Sequence, residues 1–324
     1  MQNTTELLIK AIKYEHPEEI PIMVNFSPAA IIAHKDELRA IMKKYPDIIP
    51  EWWQSYDFEK HAPPEFRKGV ITDPWGCVWT NIMDGLTAYV SGHPLPNRED
   101  ILTMKVPKED MGLPHGFMYL RLLDLRGYEE AMIDFAEECD ELQILIDKVC
   151  DYNVQQMELM CAKEESPLII VGDDLGMQQG IAIGAKKWRK YIKPALKRIF
   201  DVCKKHGKYV YMHSDGDIIE IMSDIIEAGA HLINCQYRAN GIERLVETCK
   251  GKIPVLLDLD RQFFPFGAPS DMRNHLRDTV EKMYLPEGGL ALFIEIGPDV
   301  PLENTLALFD EANLLRHYKG ECTI

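Results

Sequence analysis

The chain is short of positive charge, of long apolar runs and of patterned cysteine, and each shortage removes a class of function. Its 36 lysines and arginines are outnumbered by 52 aspartates and glutamates, for a formal net charge of −16. That balance repels phosphate backbones, and no local basic patch offsets it, so nucleic-acid binding is not expected. No apolar run approaches the length of a bilayer span, and no membrane role is expected either. The start, MQNTTELLIKAIKYEHPEEIP, lacks the charged region, apolar stretch and cleavage site of a secretory signal, and the eight cysteines fall without a CxxC pair. Free thiols in a reducing, cytoplasmic setting are the expectation. No GxGxxG follows a strand pattern, which removes the common dinucleotide fingerprint.

What is present is an ordinary globular composition, 46% hydrophobic and 27% charged over 324 residues, enough for one large α/β domain. From about residue 165 onward one grammar repeats: an apolar strand, a polar terminus, then an amphipathic helix. SPLIIVGDDLG ends at Asp173 and Asp174, YVYMHSDG at His213 to Gly216, HLINCQY at Cys235 and Gln236, PVLLDLD at Asp258 and Asp260, and LALFIEIG at Glu295. Glycines 207, 229, 251 and 289 stand where helix C-caps belong. Short alternation of strand and helix requires a parallel sheet, because each strand must cross back over a helix before its neighbour can pair. Length and the missing GxGxxG favour a (β/α)8 TIM barrel over a doubly wound sheet.

The first half is less regular. IPIMVNF reads as the first barrel strand, ending at Asn25. DPWGCVWTN and GLTAYVSGHPLP read as a β-hairpin lying over one mouth of the barrel, and prolines 94, 96 and 107 keep the following connection extended. Helices resume from about Tyr128 to Lys163. With no internal repeat, residues 1–324 are expected to form a single barrel domain with an N-terminal elaboration.

In a parallel barrel all strand C-termini open on one face, so these polar ends are candidates to meet in one pocket. Alternation limits how many can point inward. One of Asp173 and Asp174 is weighed as a cap or loop-amide acceptor, and Asp217 as the N-cap of the helix that follows it. Asp258 and Asp260 share a face and have Arg261 as a candidate partner. His213 is the strongest candidate: a lone histidine beside an apolar strand is ordinarily a core residue, but alternation puts this one on the same side as Asp215. The pair suits acid–base work, or a metal site with Cys235 or Glu295 as a third ligand, zinc being the metal considered. Trp75 and Trp79, with Trp52 and Trp53 before them, either belong to the core or line an apolar vestibule for an aromatic substrate.

IPIMVNF, DPWGCVWTN with its following HPLP, GDDLGMQQG, KYVYMHSDGDI, INCQY, LLDLDRQ and GPDVPLENT together resemble the uroporphyrinogen decarboxylase superfamily. Within it the chain is most similar to the branch of cobalamin-dependent methyltransferases found in anaerobic acetogens and related bacteria. The resemblance implies a barrel whose C-terminal mouth receives a methyl donor or acceptor and docks a separate corrinoid protein. The chain has no corrinoid-binding DxHxxG segment, so the cobalamin is expected on that partner. Members that methylate the thiol of coenzyme M hold zinc through a His-x-Cys pair and a late cysteine. Here the pair reads His213, Ser214, Asp215, and Ile294 or Glu295 stands where the late cysteine would be, which argues against thiol activation. The decarboxylase itself receives a polycarboxylate through several N-terminal arginines, where this chain offers Lys35 and Arg39.

The resemblance therefore implies transfer of a methyl group from a small methoxylated substrate, an aryl methyl ether, to Co(I) of a corrinoid protein. In that reading His213, Asp215 and Asp174 assist the departing oxygen, and Asn25, Trp75, Gln236, Asp258 and Glu295 contact the substrate. The alternatives are transfer from a methylated corrinoid to a pterin or thiol, a lyase like the decarboxylase, or a non-catalytic binding protein.

Overall fold

The computed structural model describes residues 4–320. Nine strands occur among them: β1 (Ile22–Phe26), β2 (Gly69–Thr72), β3 (Val78–Asn81), β4 (Tyr89–Gly92), β5 (Leu168–Gly172), β6 (Tyr209–Ser214), β7 (Leu232–Gln236), β8 (Val255–Asp258) and β9 (Leu290–Ile296). The described chain divides into two compact units, neither of them continuous in sequence. One takes residues 4–69, 81–88 and 236–320; the other takes 70–80 and 89–235.

The first unit contains β1, β9 and β8 side by side, all parallel, with Asn25 opposite Glu295 and Asp258 opposite Phe293 in register. All four residues of β8 are buried, as expected of a strand covered on both faces. β1 is anchored by an aromatic cluster. Phe26 meets Trp53 and Phe309 edge to face at centroid distances of 5.2 and 5.9 Å, and the Trp53 indole donates to the Val24 carbonyl at 3.2 Å. Trp53 is thus core, while its stacked neighbour Trp52 is half exposed.

The second unit contains β5, β6 and β7 in that order, again parallel. Two long helices, Asp140–Lys163 and Gly184–Lys205, pack on each other in this unit, the latter burying Trp188, Ile192, Leu196, Ile199 and Phe200 along one stripe. The unit also carries the small sheet β2–β3–β4, with β3 and β4 antiparallel. The hairpin expectation is met and extended by β2, whose residues are all exposed and therefore gave no alternating signal. The connection expected to be extended holds a short helix, Arg98–Thr103, started by the Asn97–Asp100 capping box. A further helix, Tyr119–Arg126, precedes the expected helical stretch. The architecture is α/β with parallel strands, six of them among the described residues, against the eight of a complete (β/α)8 barrel.

The strand grammar works through its turns. Gly229 ends the helix Met222–Ala228 at φ 119°, a conformation costly for any residue with a Cβ. Gly216, at φ 84°, is more constrained still: a Cβ there would lie 2.3 Å from the carbonyl carbon of Gly176. The backbones leaving β5 and β6 cross in direct contact at these two glycines. The substitution Gly216→Ala is expected to lower the thermal midpoint by about 5 °C or more through combined clash and backbone strain. An unchanged melting curve would show that the crossing does not form.

Candidate functional site

The crossing of the two loops brings four polar side chains together in the second unit. Asp173 and Asp174 follow β5, and His213 occupies the penultimate position of β6 with Asp215 just beyond its end. The loops are tied by Leu175 N donating to Ser214 Oγ (2.9 Å), Asp217 N to the Met177 carbonyl (2.8 Å) and Asp215 N to Asp174 Oδ1 (2.9 Å). Asp217 accepts from the Ile219 amide at 3.3 Å, in keeping with a turn or cap role.

Asp173 and Asp174, adjacent in sequence, do different work. Asp173 is fully buried and accepts the amides of Tyr119 (2.5 Å) and Leu120 (3.0 Å), at the N-terminus of the helix Tyr119–Arg126. It is a cap, but of a helix that precedes it by some fifty residues. Burial pushes its pKa up to about 7 although both amides favour the ionised form. Asp174 points the other way, to His115 Nε2 at 3.1 Å and His213 Nε2 at 3.6 Å.

His213 is held from both sides. Its Nδ1 lies 2.6 Å from Asn234 Oδ1, the residue beside it in register on β7, and the same oxygen accepts from Tyr211 Oη at 2.8 Å. An amide oxygen only accepts, so Nδ1 carries hydrogen and Nε2 is the nitrogen turned to the carboxylates, 3.3 Å from Asp215 Oδ1. Burial disfavours the imidazolium, but the hydrogen bond and charge of Asp215, the Asn234 contact and the charge of Asp174 outweigh it and raise the pKa to about 9. His115 is raised as well: burial opposes, and Asp174 prevails. Asp174 is lowered, its burial overcome by His115, the Asp215 amide and His213. The His213, Asp174 and Asp215 side chains remain 22, 28 and 34% exposed, so a ligand can reach them.

His115 was not singled out from sequence. It lies in the loop LPHG, outside any strand or periodic helix, and only its position between Pro114 and Gly116 marks a turn. The loop is fixed by Gly116 N donating to the Gly172 carbonyl at 2.8 Å, and a Cβ on Gly172 would lie 2.6 Å from His115 Nδ1. Gly172 thus leaves the space in which the imidazole rests on the end of β5. Among the described residues, His115, Asp174 and His213 form a trio whose potential ligand atoms lie within 4.8 Å of one another.

Of the expected metal set of His213, Asp215, Cys235 and Glu295, His213 and Asp215 stand together in the second unit at 3.3 Å. Cys235 is fully buried and stands beside Ser214 in register; since Asn234 faces His213, alternation turns the Cys235 thiol to the opposite side of β7. Glu295 belongs to the first unit, where it pairs with Arg261 and accepts from Asn25 Nδ2 at 3.3 Å. Asp258, 2% exposed, has the Arg261 guanidinium at 3.7 Å, while Asp260 is bound through two contacts of 2.8 Å by Arg238. Asn25, Arg261 and Glu295 line a cavity of about 340 Å³ within the first unit, with Phe66, Leu86 and Pro298 as apolar wall. Gln236 uses its carbonyl to accept from Asn240 Nδ2 at 2.8 Å. Trp75 is buried in the second unit, edge to face with Tyr152 at 4.9 Å and covered by the Arg121 guanidinium. Trp79 donates its indole hydrogen to Asp73 at 3.0 Å.

The family model described as Uroporphyrinogen decarboxylase (URO-D) matches residues 122–314, a span that includes Asp174, His213 and Asp215 and begins after His115. No match is found among curated proteins. Among solved structures, the chain is similar to a Xanthomonas albilineans dihydropteroate synthase with 4-aminobenzoic acid, at 16% identity and a TM-score of 0.34, covering 48% of this chain and 57% of that one. A Yersinia pestis dihydropteroate synthase in a sulfonamide drug complex matches at 18% identity and a TM-score of 0.32, covering 49 and 58%. A type I 3-dehydroquinate dehydratase from Clostridium difficile matches at 12% and 0.31, covering 60 and 79%. The chain thus spans less than two thirds of either synthase chain. No helix among the described residues is long and apolar enough to cross a membrane.

Two outcomes follow from the geometry. In chelator-treated protein the His213 ring resonances should titrate near pH 9, and Asp215→Asn should move that value down by about one unit or more. Because the folded pKa exceeds the unfolded value of about 6.5, the stability His213 contributes is fully present below that pH and is lost as pH rises through about 9. A His213 that titrates near 6.5 in the folded protein would contradict the charge arrangement. Asp173→Ala should destabilise the fold by about 1–2 kcal/mol or more in thermal or denaturant unfolding, since it strips two helix-terminal amides of their acceptor.

Proposed function

The chain belongs to the uroporphyrinogen decarboxylase family, and on that premise we propose that it is a corrinoid-dependent methyltransferase acting in the cytoplasm, with its parallel strands contributing to a (β/α)8 barrel. Its methyl donor is an aryl methyl ether and its acceptor is Co(I) of a separate corrinoid protein. The observation that carries the reading is the His213 side chain, fixed by Asn234 at one nitrogen and turned at the other towards two carboxylates on a solvent-reachable strand end.

The chemical obstacle is the leaving group. As the methyl carbon passes to cobalt, the C–O bonding pair stays on oxygen, and a phenolate released into a partly dry site is costly unless positive charge meets it. The cluster supplies that charge. In the metal-free chain it is the Nε2 proton of His213, whose pKa of about 9 lies just below the value near 10 of an ordinary phenol. At neutral pH the imidazolium is then the populated form, and it can pass its proton to the departing oxygen. Asp215 and Asp174 hold the imidazolium in place, and Asn234 fixes its tautomer and orientation. The carboxylates also disfavour an anionic ligand approaching without such a cation, which fits a neutral ether as donor.

The test is a methyl-transfer assay with reduced corrinoid protein and a panel of methoxylated aromatics, following the cobalt spectrum and release of the phenol. His213→Gln is expected to lower transfer by about 10²–10⁴-fold with the circular dichroism spectrum retained and the thermal midpoint lowered by the loss of the charged imidazole. Transfer only from the methylated corrinoid to a pterin or thiol would reverse the direction. No transfer in either direction would remove the methyltransferase reading.

A further inference from the structure

We propose that His115, Asp174 and His213 form a binding site for one divalent first-row metal ion of the zinc class, with an open position for an oxygen of the substrate. The inference rests on the proposed reaction for its purpose, and on the geometry alone for its existence. It names ligands different from the His213, Asp215, Cys235 and Glu295 set that the sequence suggested.

The first argument is distance. Nitrogen and oxygen ligands at about 2.0–2.1 Å in a tetrahedral shell stand about 3.3 Å from one another. His115 Nε2 lies 3.1 Å from Asp174, and His213 Nε2 lies 3.6 Å from the other oxygen of the same carboxylate. The widest separation in the trio, at most 4.8 Å, has to close by no more than about 1.5 Å. His115, half exposed and on a loop rather than a strand, already holds its Nε2 against Asp174, with its ring 5.4 Å from that of His213.

The second argument is orientation. The Asn234 oxygen takes hydrogen from both Tyr211 Oη and His213 Nδ1, so the His213 nitrogen lone pair is aimed between Asp174 and Asp215. In the metal-free chain a proton on Nε2 fills that position; once the nitrogen is deprotonated, as ligation requires, a metal ion takes the proton's place between it and the carboxylates. Two imidazoles against two carboxylates call for two positive charges, which one divalent ion supplies at a single point. A ligating histidine whose other ring nitrogen donates to a fixed oxygen is also the usual arrangement around bound metals, and Tyr211 and Asn234 provide it here.

The third argument is space and donor chemistry. Gly172 removes the side chain that would otherwise collide with the His115 ring, so the strand end is shaped to admit that imidazole over it. Two nitrogens and a carboxylate, with no thiolate, select a borderline divalent ion rather than a soft monovalent one. Three protein ligands leave a position for an exchangeable oxygen, as in catalytic rather than structural sites. Asp215, 3.3 Å from His213 Nε2, stands beside that position as a fourth ligand or as a base towards a bound oxygen. A bound ion would act as a Lewis acid towards the ether or phenolate oxygen.

The experiment is metal binding to the full chain after chelation and desalting, read by calorimetry with Zn²⁺ and by visible absorption with Co²⁺, independently of activity. One ion per chain is expected, with the absorption of a four- or five-coordinate Co²⁺ centre. His115→Ala and His213→Ala should each weaken binding by about tenfold to a hundredfold or more, and Asn234→Ala by about tenfold. Cys235→Ser and Glu295→Gln should leave it unchanged. His115 sits on a half-exposed loop, so its variant tests the site even where substitution of His213 disturbs the fold. Absence of stoichiometric binding, or binding indifferent to His115→Ala, overturns the proposal. Undiminished methyl transfer by exhaustively chelated protein would overturn the ion's part as Lewis acid in the reaction, while leaving the methyltransferase reading standing. Stoichiometric binding that requires His115, in a protein that transfers no methyl group, would retain the site and remove the reaction.

Discussion

The contact between the backbones at Gly176 and Gly216 is the constraint from which the site follows. A Cβ at either position would collide with the opposing chain, so the loops leaving β5 and β6 approach as closely as backbone allows. That approach lets the Asp215 amide reach Asp174, and the Leu175 amide reach Ser214, without intervening water. The carboxylates are therefore placed by main-chain geometry, which costs little further entropy to maintain, rather than by long flexible side chains. Two glycines of no chemical character of their own decide where the Asp174 and Asp215 side chains are held.

Around this crossing the charges are arranged so that burial loses to pairing. His213 and His115 would each be easier to bury neutral, and Asp174 easier to bury protonated, yet each is shifted towards its charged form by partners of opposite sign: His213 chiefly by Asp215, His115 by Asp174, and Asp174 by the two histidines. Asp173, one residue from Asp174, shows the opposite result: its neighbours are backbone amides, and burial dominates. Two adjacent carboxylates are thus shifted in opposite directions by environment alone.

The first unit presents a second set of polar strand ends with a different character. Glu295 and Asp258 both face Arg261, and Asp260 faces Arg238, so each carboxylate there has a guanidinium partner. Such pairs keep the strand ends hydrated or neutral and leave the 340 Å³ cavity beside Asn25 with both a polar floor and an apolar wall, a shape suited to a small amphipathic molecule. An ion pair of this kind is also what imitates a reactive group when only the sequence is read.

Much was legible in the linear chain because the governing signals are local. Apolar strands, glycine-ended helices and the alternation that puts His213 and Asp215 on one side depend on residues near one another, and the structure repeats them. What only the tertiary structure decided are the partners brought from elsewhere: the helix that Asp173 caps, the Arg261 that claims Glu295, the Asn234 that fixes the His213 ring, and above all His115, delivered to the end of β5 by a loop with no periodicity. Sequence determines which side of a strand a residue occupies, since backbone pleat has a period of two. It does not determine which distant loop comes to rest against that side, because that is fixed by packing and by a missing Cβ at Gly172.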